Sequence, residues 1–272
     1  EAHSLLLNAD FYDGETYDAR LEMPGWNDAG FNDSEWASAK TYPAPDAKIV
    51  PSLSVPIRMQ MELRTVKMTE PQPGVYVFDL GQNMVGWTRV KLRQNAGRQV
   101  TLRFAEMLNE DGTIYTENLR TAKCTDRYIC KGKEEETYTQ KFTFHGFRYV
   151  ELSGLEESPE ISDVVGIVLY SDMQQTGEFA TSIHLVNRLQ DNIVWGQRGN
   201  FLDVPTDCPQ RDERYGWTGD TQVFTNVATY NMYSPEFYTK WIDDLNLSIT
   251  KGTDCFPHIA PNPYRMGNIP CT

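Results

Sequence analysis

The apolar and polar positions of this chain change period part-way along. Between residues 66 and 172 the pattern is that of short strands. Val75 to Leu80 is an apolar run that follows Pro73 and Gly74. Thr88, Val90 and Leu92 alternate with Arg89 and Lys91, and Val100, Leu102 and Phe104 alternate with Thr101 and Arg103. Tyr128–Cys130, Phe142–Phe144, Phe147–Leu152 and Val164–Leu169 add further segments. Turn chemistry at Asn95–Gly97 and Asp111–Gly112 separates them. Short strands at this spacing predict an antiparallel β-sandwich.

After about residue 172 the period lengthens to that of helices. Leu185, Val186, Leu189 and Ile193 share one face, with Thr181 or Ser182 as N-cap. Val223, Val227 and Tyr230 form a second stripe. Ser234 and Pro235 open a third helix that carries Phe237, Trp241 and Leu245. The first 65 residues are irregular apart from Leu5–Leu7 and the Asp13-Gly14 turn. Trp26 and Trp36 there fit either sugar stacking or, the reading we favour, core anchors. The expected organisation is β then α. Residues 1–65 are the tail of a preceding β-sandwich and a linker, 66–172 a sandwich, and 173–272 a helical domain. Three helices are too few to close a large helical barrel, so the chain is expected to stop inside that domain.

One loop between helices breaks both patterns. Asp207 to Asp220 holds four carboxylates (Asp207, Asp212, Glu213, Asp220), Arg211, Arg214, Trp217 and two glycines. Clustered acids push their pKa values apart, and the splitting can leave one protonated near neutrality, as a general acid requires. Arg211 and Arg214 could hold the others ionised, and Trp217 could stack on a sugar ring. A plainer reading has Asp207 and Asp220 cap helices while Asp212 and Glu213 pair with arginines. The residue pattern alone leaves both open.

Composition narrows the partners. The chain has 272 residues and a net charge of −13, which disfavours nucleic acid and anionic membrane surfaces. There is no apolar run long enough for a transmembrane helix, and Glu1–Ser4 lacks signal-peptide character. Five cysteines without a CxxC pair predict free thiols rather than a disulfide framework or zinc site. The compartment stays open between cytoplasm and export. The four histidines show no metal-binding spacing, no metal is expected, and His145 reads as a satisfied strand-end residue. A GxSxG elbow and a phosphate-binding glycine loop are both missing. Lys133–Glu136 reads as a solvated turn.

Asn200–Thr206 leading into the loop resembles the bacterial α-L-rhamnosidases of glycoside hydrolase family 78. Gly74–Trp87, Phe104–Glu106, Tyr115–Ala122 and His145–Tyr149 are similar to that family's concanavalin-like domain, and residues 8–36 to the sandwich before it. The resemblance implies an incomplete (α/α)6 barrel after the sandwich. It also implies inverting hydrolysis of terminal non-reducing α-L-rhamnosyl groups from plant glycosides or polysaccharide side chains, with no cofactor. By motif position Glu213 is the general acid. Asp207, Trp217 and Asp220 hold rhamnose, and Arg211 and Asp212 orient or support. The general base is expected beyond residue 272, leaving the isolated chain inactive. The alternatives are a carbohydrate-binding sandwich without chemistry, or a six-hairpin glycosidase for another sugar.

Overall fold

The computed structural model describes residues 4–51, 54–132, 135–249 and 255–262. Of the expected solvated turn at Lys133–Glu136, Lys133 and Glu134 lie outside the described residues, and Glu136 is instead a buried strand residue whose carboxylate accepts from the Tyr128 hydroxyl and the Lys131 and Gly132 N–H groups. Strands β1 (Leu6–Asp10) and β2 (Gly14–Asp18) form a hairpin. Strands β3 (Ile57–Arg64), β4 (Lys67–Gln72) and the 18-residue β5 (Val75–Leu92) follow. Next come β6 (Gln99–Ala105) and a short hairpin of β7 (Met107–Leu108) and β8 (Ile114–Tyr115). The strands β9 (Thr125–Ile129), β10 (Glu136–Thr139), β11 (His145–Ser153) and β12 (Val164–Ser171) complete the β part. Helix α1 (His184–Asn200) leads to a hairpin of β13 (Phe201–Leu202) and β14 (Val204–Pro205). Helices α2 (Thr218–Asn231) and α3 (Pro235–Ser248) end the regular structure.

Instead of the two facing sheets of a sandwich, ten of the twelve strands of the β part form one sheet curled on itself, and β7 and β8 pair only with each other. Strand β5 is the cause. Its first half pairs with β4 and β11, and its second half with β12 and β10, so one strand serves both halves. Gly81 and Gly86 sit within β5 at positive φ, and the register with β11 shifts between Phe147 and Tyr149. A shifted register bends and twists a strand. At Gly86 a β-carbon would lie 2.0 Å from the Ile167 carbonyl oxygen, so only glycine fits the crossing. The sheet is also not wholly antiparallel, because β2 runs parallel to β9. Strands β1, β2 and β3 come from the stretch before residue 66, and all three hydrogen-bond into this sheet.

Alternation predicted the core well. Val90, Leu92, Val100, Leu102 and Phe104 are buried and pack with Phe78 and Leu152. Trp26 and Trp36 are not core anchors. They are 57% and 48% exposed, because residues 22–51 form turns and bends with no strand to pack beneath them. Phe142–Phe144 lies outside regular strand, between β10 and β11.

The three helices fall where the periodicity placed them, with a difference in burial. The α3 stripe of Phe237, Trp241 and Leu245 is buried. Leu185 and Leu189 of α1 and Val223 and Tyr230 of α2 are exposed. Neither Thr181 nor Ser182 is the N-cap of α1; Ile183 is. Thr181 supports the start from one turn earlier, its hydroxyl accepting from the Ile183 N–H at 3.0 Å. Cys124, Cys130 and Cys208 are free and buried, as expected for most of the cysteines, but Cys255 is disulfide-bonded and departs from the free-thiol expectation.

Candidate active site

The loop leaves β14 and closes on itself. Asp207 donates its N–H to the Tyr215 carbonyl at 3.1 Å, and its Oδ1 accepts from the Tyr215 N–H at 3.0 Å. This clamp turns residues 208–214 into a closed excursion. The loop is then sewn to the chain around residue 259. Thr218 N–H donates to the His258 carbonyl at 2.8 Å, and Ala260 N–H to the Gly216 carbonyl at 3.0 Å. At Gly216 a β-carbon would stand 2.3 Å from the Ala260 oxygen, so the approach needs glycine.

Arg214 fixes the excursion to the curled sheet. It sits at φ +58° and is buried. Its Nη1 donates to the carbonyls of Phe11 and Phe144 at 2.8 and 2.9 Å, and its Nη2 to that of Gln210 at 3.2 Å. The rings of Phe11, Tyr12 and Phe144 lie 5.2 to 5.6 Å from the guanidinium carbon. Burial pushes the Arg214 pKa below its ordinary value. The expectation that Arg214 orients carboxylates is therefore replaced. Its charge is met by carbonyl dipoles and aromatic faces.

Glu213 is the acid on which positive charge converges. Its Oε2 accepts from Arg211 Nε at 3.1 Å and from Arg120 Nη1 at 3.1 Å. Arg211 Nη2 stands 3.0 Å from the same oxygen. Oε1 takes none of these bonds. Asp212 is turned to the sheet, where its Oδ2 accepts from the N–H of Thr121 at 3.2 Å and from the Thr121 hydroxyl. The Thr121 bonds hold the Asp212 carboxyl below the usual carboxylate range. Asp207 moves the other way. Burial raises its pKa, and the charge of Glu213 adds to the shift.

These placements divide the plainer reading. Asp207 does not cap a helix. Asp220 lies in the first turn of α2, exposed, and Glu213 does pair with arginines. A cavity of about 310 Å³ brings Asp207 and Asp220 onto one wall with Asn200, Thr206, Phe224 and Tyr238. Glu213, Arg211 and Trp217 are not part of that wall. Trp217 is half-buried, and its Nε1–H has no partner among the described residues.

Asp207, Cys208 and Glu213 bring their ligand atoms within 4.8 Å of one another. The trio is a poor metal set. Arg211 already supplies the cation, 3.0 Å from Glu213 and 3.7 Å from Asp207. Burial pushes the Cys208 thiol up to about 11, so it stays protonated at neutral pH, whereas a metal ligand must be thiolate.

His145 is fully buried at the start of β11, and the satisfied strand-end reading holds for only one ring nitrogen, since Nε2 is paired while Nδ1 has no hydrogen-bond partner among the described residues. Its Nε2 is 3.1 Å from Asp126 Oδ2, and its ring stacks on Phe104 at 4.2 Å. Burial alone would lower its pKa, but the Asp126 carboxylate outweighs it and raises the value to about 9.

Arg120, Thr121 and Tyr12 were not nominated from the sequence. Tyr12 donates its hydroxyl to the Glu213 carbonyl at 2.7 Å. These residues lie about 90 and 200 positions from the loop, and no acid or tryptophan marked them. The available signal was that Arg120 and Thr121 fall within Tyr115–Ala122. Backbone strain marks the same region. Among the described residues the non-glycine positive-φ positions are Arg120, Cys124, Asp203 and Arg214. Arg120 and Cys124 contact the loop, Arg214 is in it and Asp203 precedes it. Such strain gathers where surrounding structure over-determines a site.

Three family models match in succession. Residues 1–61 match the α-L-rhamnosidase N-terminal domain. Residues 69–170 match the bacterial α-L-rhamnosidase concanavalin-like domain, and 174–270 the bacterial α-L-rhamnosidase six-hairpin glycosidase domain. The chain belongs to the bacterial α-L-rhamnosidase family. It is 49% identical to an α-L-rhamnosidase of Streptomyces avermitilis over 97% of this chain and 26% of that protein. With one from Formosa agariphila it shares 42% over 96% of this chain and 28% of the relative. The S. avermitilis α-L-rhamnosidase, solved in complex with L-rhamnose, superposes with a TM-score of 0.94, covering 98% of this chain and 26% of that one. An Aspergillus terreus α-L-rhamnosidase gives 0.92 at 35% identity, covering 98% and 31%. The chain thus spans about a quarter of the length of these curated relatives. The α-L-rhamnosidase models divide the site: Tyr12 falls in the first, Arg120 and Thr121 in the second, and the acid loop in the third.

Proposed function

We propose that this chain supplies the general-acid side of an α-L-rhamnosidase that hydrolyses terminal α-L-rhamnosyl groups with inversion. The observation that carries the reading is the state of Glu213. Two guanidinium groups bind one oxygen of its carboxyl group and leave the other out of those bonds. In this reading Oε1 carries the proton to the leaving glycosidic oxygen. Asp207, Trp217 and Asp220 hold the sugar, Arg211 orients the acid, and Asp212 ties the loop to the sheet. The chemistry so read is proton transfer and needs no cofactor.

Inversion needs a second carboxylate roughly 6.5–9.5 Å away, with a water between it and the sugar. Asp207 comes within 4.8 Å of Glu213, which is too close for that water. We therefore assign the base to the part of the relatives that this chain does not span. The helices after residue 173 are read as the first of an (α/α)6 barrel, supported by the six-hairpin match. On this reading the 272-residue chain alone hydrolyses no rhamnoside at a useful rate.

The test is a leaving-group series in a protein carrying this chain at the full length of its relatives. Glu213→Gln should cut turnover of rhamnosides with poor leaving groups by about 10²–10⁴-fold, while activated aryl rhamnosides lose far less. An equal loss on both substrates, or a change in affinity only, would show that Glu213 is not the acid.

A further inference from the structure

Leu119 and Ala122 are buried in the core of the curled sheet, and between them Arg120 and Thr121 face outward. Arg120 closes a 3-10 turn at Glu117–Leu119 with φ 59° and ψ −115°. Its buried neighbours Leu119 and Ala122 anchor this strained backbone on either side of the two outward residues. Opposite them stand Asp212 and Glu213. The two pairs meet in order: Thr121 bonds Asp212, and Arg120 bonds Glu213 at 3.1 Å. Arg120 Nη1 also stands 3.8 Å from Asp212 Oδ1.

We propose that Arg120, presented by the sheet, is a positioning residue for the acid Glu213, fixing Oε2 so that Oε1 alone faces the leaving group. The inference rests on the assignment of Glu213 as acid and extends it across a domain boundary. Arg211 cannot do this alone. It belongs to the same loop as Glu213, two residues away, so its bond does not tie the carboxyl group to the sheet. Arg120 is anchored in a different body of structure, so it ties the orientation of the carboxyl group to the sheet. Arg120 is half-exposed, and its Coulomb contribution to stability is correspondingly screened. Its value lies in geometry: donors on two sides hold one carboxyl oxygen in place and so set the direction of the other.

This separates a positioning role from a merely structural one. Loss of fold quality would lower rates on every substrate alike. Loss of acid orientation should matter in proportion to how much the leaving group needs a proton. In the full-length protein, Arg120→Gln should lower kcat on a rhamnoside with a poor leaving group about 10–100-fold, with KM changed little. On an activated dinitrophenyl rhamnoside the loss should be under about 3-fold. Arg120→Lys, which keeps the charge but loses the planar fork, should recover part of the deficit. Glu213→Gln is measured alongside. If it shows the leaving-group dependence and Arg120→Gln does not, or if Arg120→Gln loses equally on both substrates, the positioning role is overturned and the acid assignment stands. If Glu213→Gln shows no leaving-group dependence, the acid assignment itself has failed.

Discussion

Arg214 and Glu213 are neighbours with opposite fates, and the contrast shows what residue type alone could not tell. Both are ionisable, yet Arg214 is buried among carbonyls and rings while Glu213 receives two other arginines. The residue pattern marked the loop as chemical but did not separate Arg211 from Arg214; only the family resemblance singled out Arg211. That depended on Phe11 and Phe144, residues distant in the chain that present carbonyls where Arg214 arrives. Replacing Arg214 by Met would leave those carbonyls unpaired in an apolar setting. The expected cost is about 2–4 kcal/mol, read as a lowered urea midpoint. A loss below ~0.5 kcal/mol would mean that the loop docks without it.

His145 gives a pH-dependent counterpart. Its folded pKa of about 9 lies above the unfolded value near 6.5. The imidazolium's stabilisation is thus fully present below about pH 6.5 and lost as pH rises through 9. Between about pH 6.5 and 8, before thiols titrate, unfolding free energy should fall by roughly 1.5 kcal/mol. A flat profile over that window would contradict the buried His145–Asp126 pair.

At the scale of elements, what was legible depended on whether partners were close in sequence or far. The alternation in β6 and the stripe of α3 were readable because one buried face leaves a direct imprint on the sequence. The curl of the sheet was not. It is set by β5 pairing with four strands, and by a glycine whose role depends on Ile167, some 80 residues later. Trp26 and Trp36 misled for a related reason: large aromatics usually find a core, but their segment has no strand to supply one. The acid loop was recognised as a unit, while its sheet-borne partners Arg120 and Thr121 were not, since a threonine and an arginine at a turn carry no compositional signal. The loop's seam with residue 260 gives a direct test. Gly216→Ala places a methyl 2.3 Å from a backbone oxygen that cannot swing away. We expect about 1–3 kcal/mol of destabilisation, with thermal unfolding as the readout, and an unchanged midpoint would contradict the packing described.

For the whole molecule, the site is a junction. Residues 11–12, 120–121 and 144 of the sheet region grip residues 210–214 of the helical region. The helical region also exposes apolar side chains that follow a regular helical period. Leu185, Val223, Tyr230 and Leu247 are 78%, 79%, 80% and 85% exposed. Faces of this kind promote association. Sedimentation velocity on the 272-residue chain should therefore show a molecular weight that grows with concentration. A monomer at every concentration would count against unsatisfied apolar faces.

Inverting release of rhamnose through the Glu213 loop is tested at the anomer formed first. A protein carrying this chain at the full length of its relatives would be given an α-L-rhamnoside and followed by proton NMR from the first turnovers. β-L-Rhamnose should appear first and then mutarotate, with Glu213→Gln slowing that release on a poor leaving group. The α anomer appearing first, or a sugar other than rhamnose being released, would contradict it.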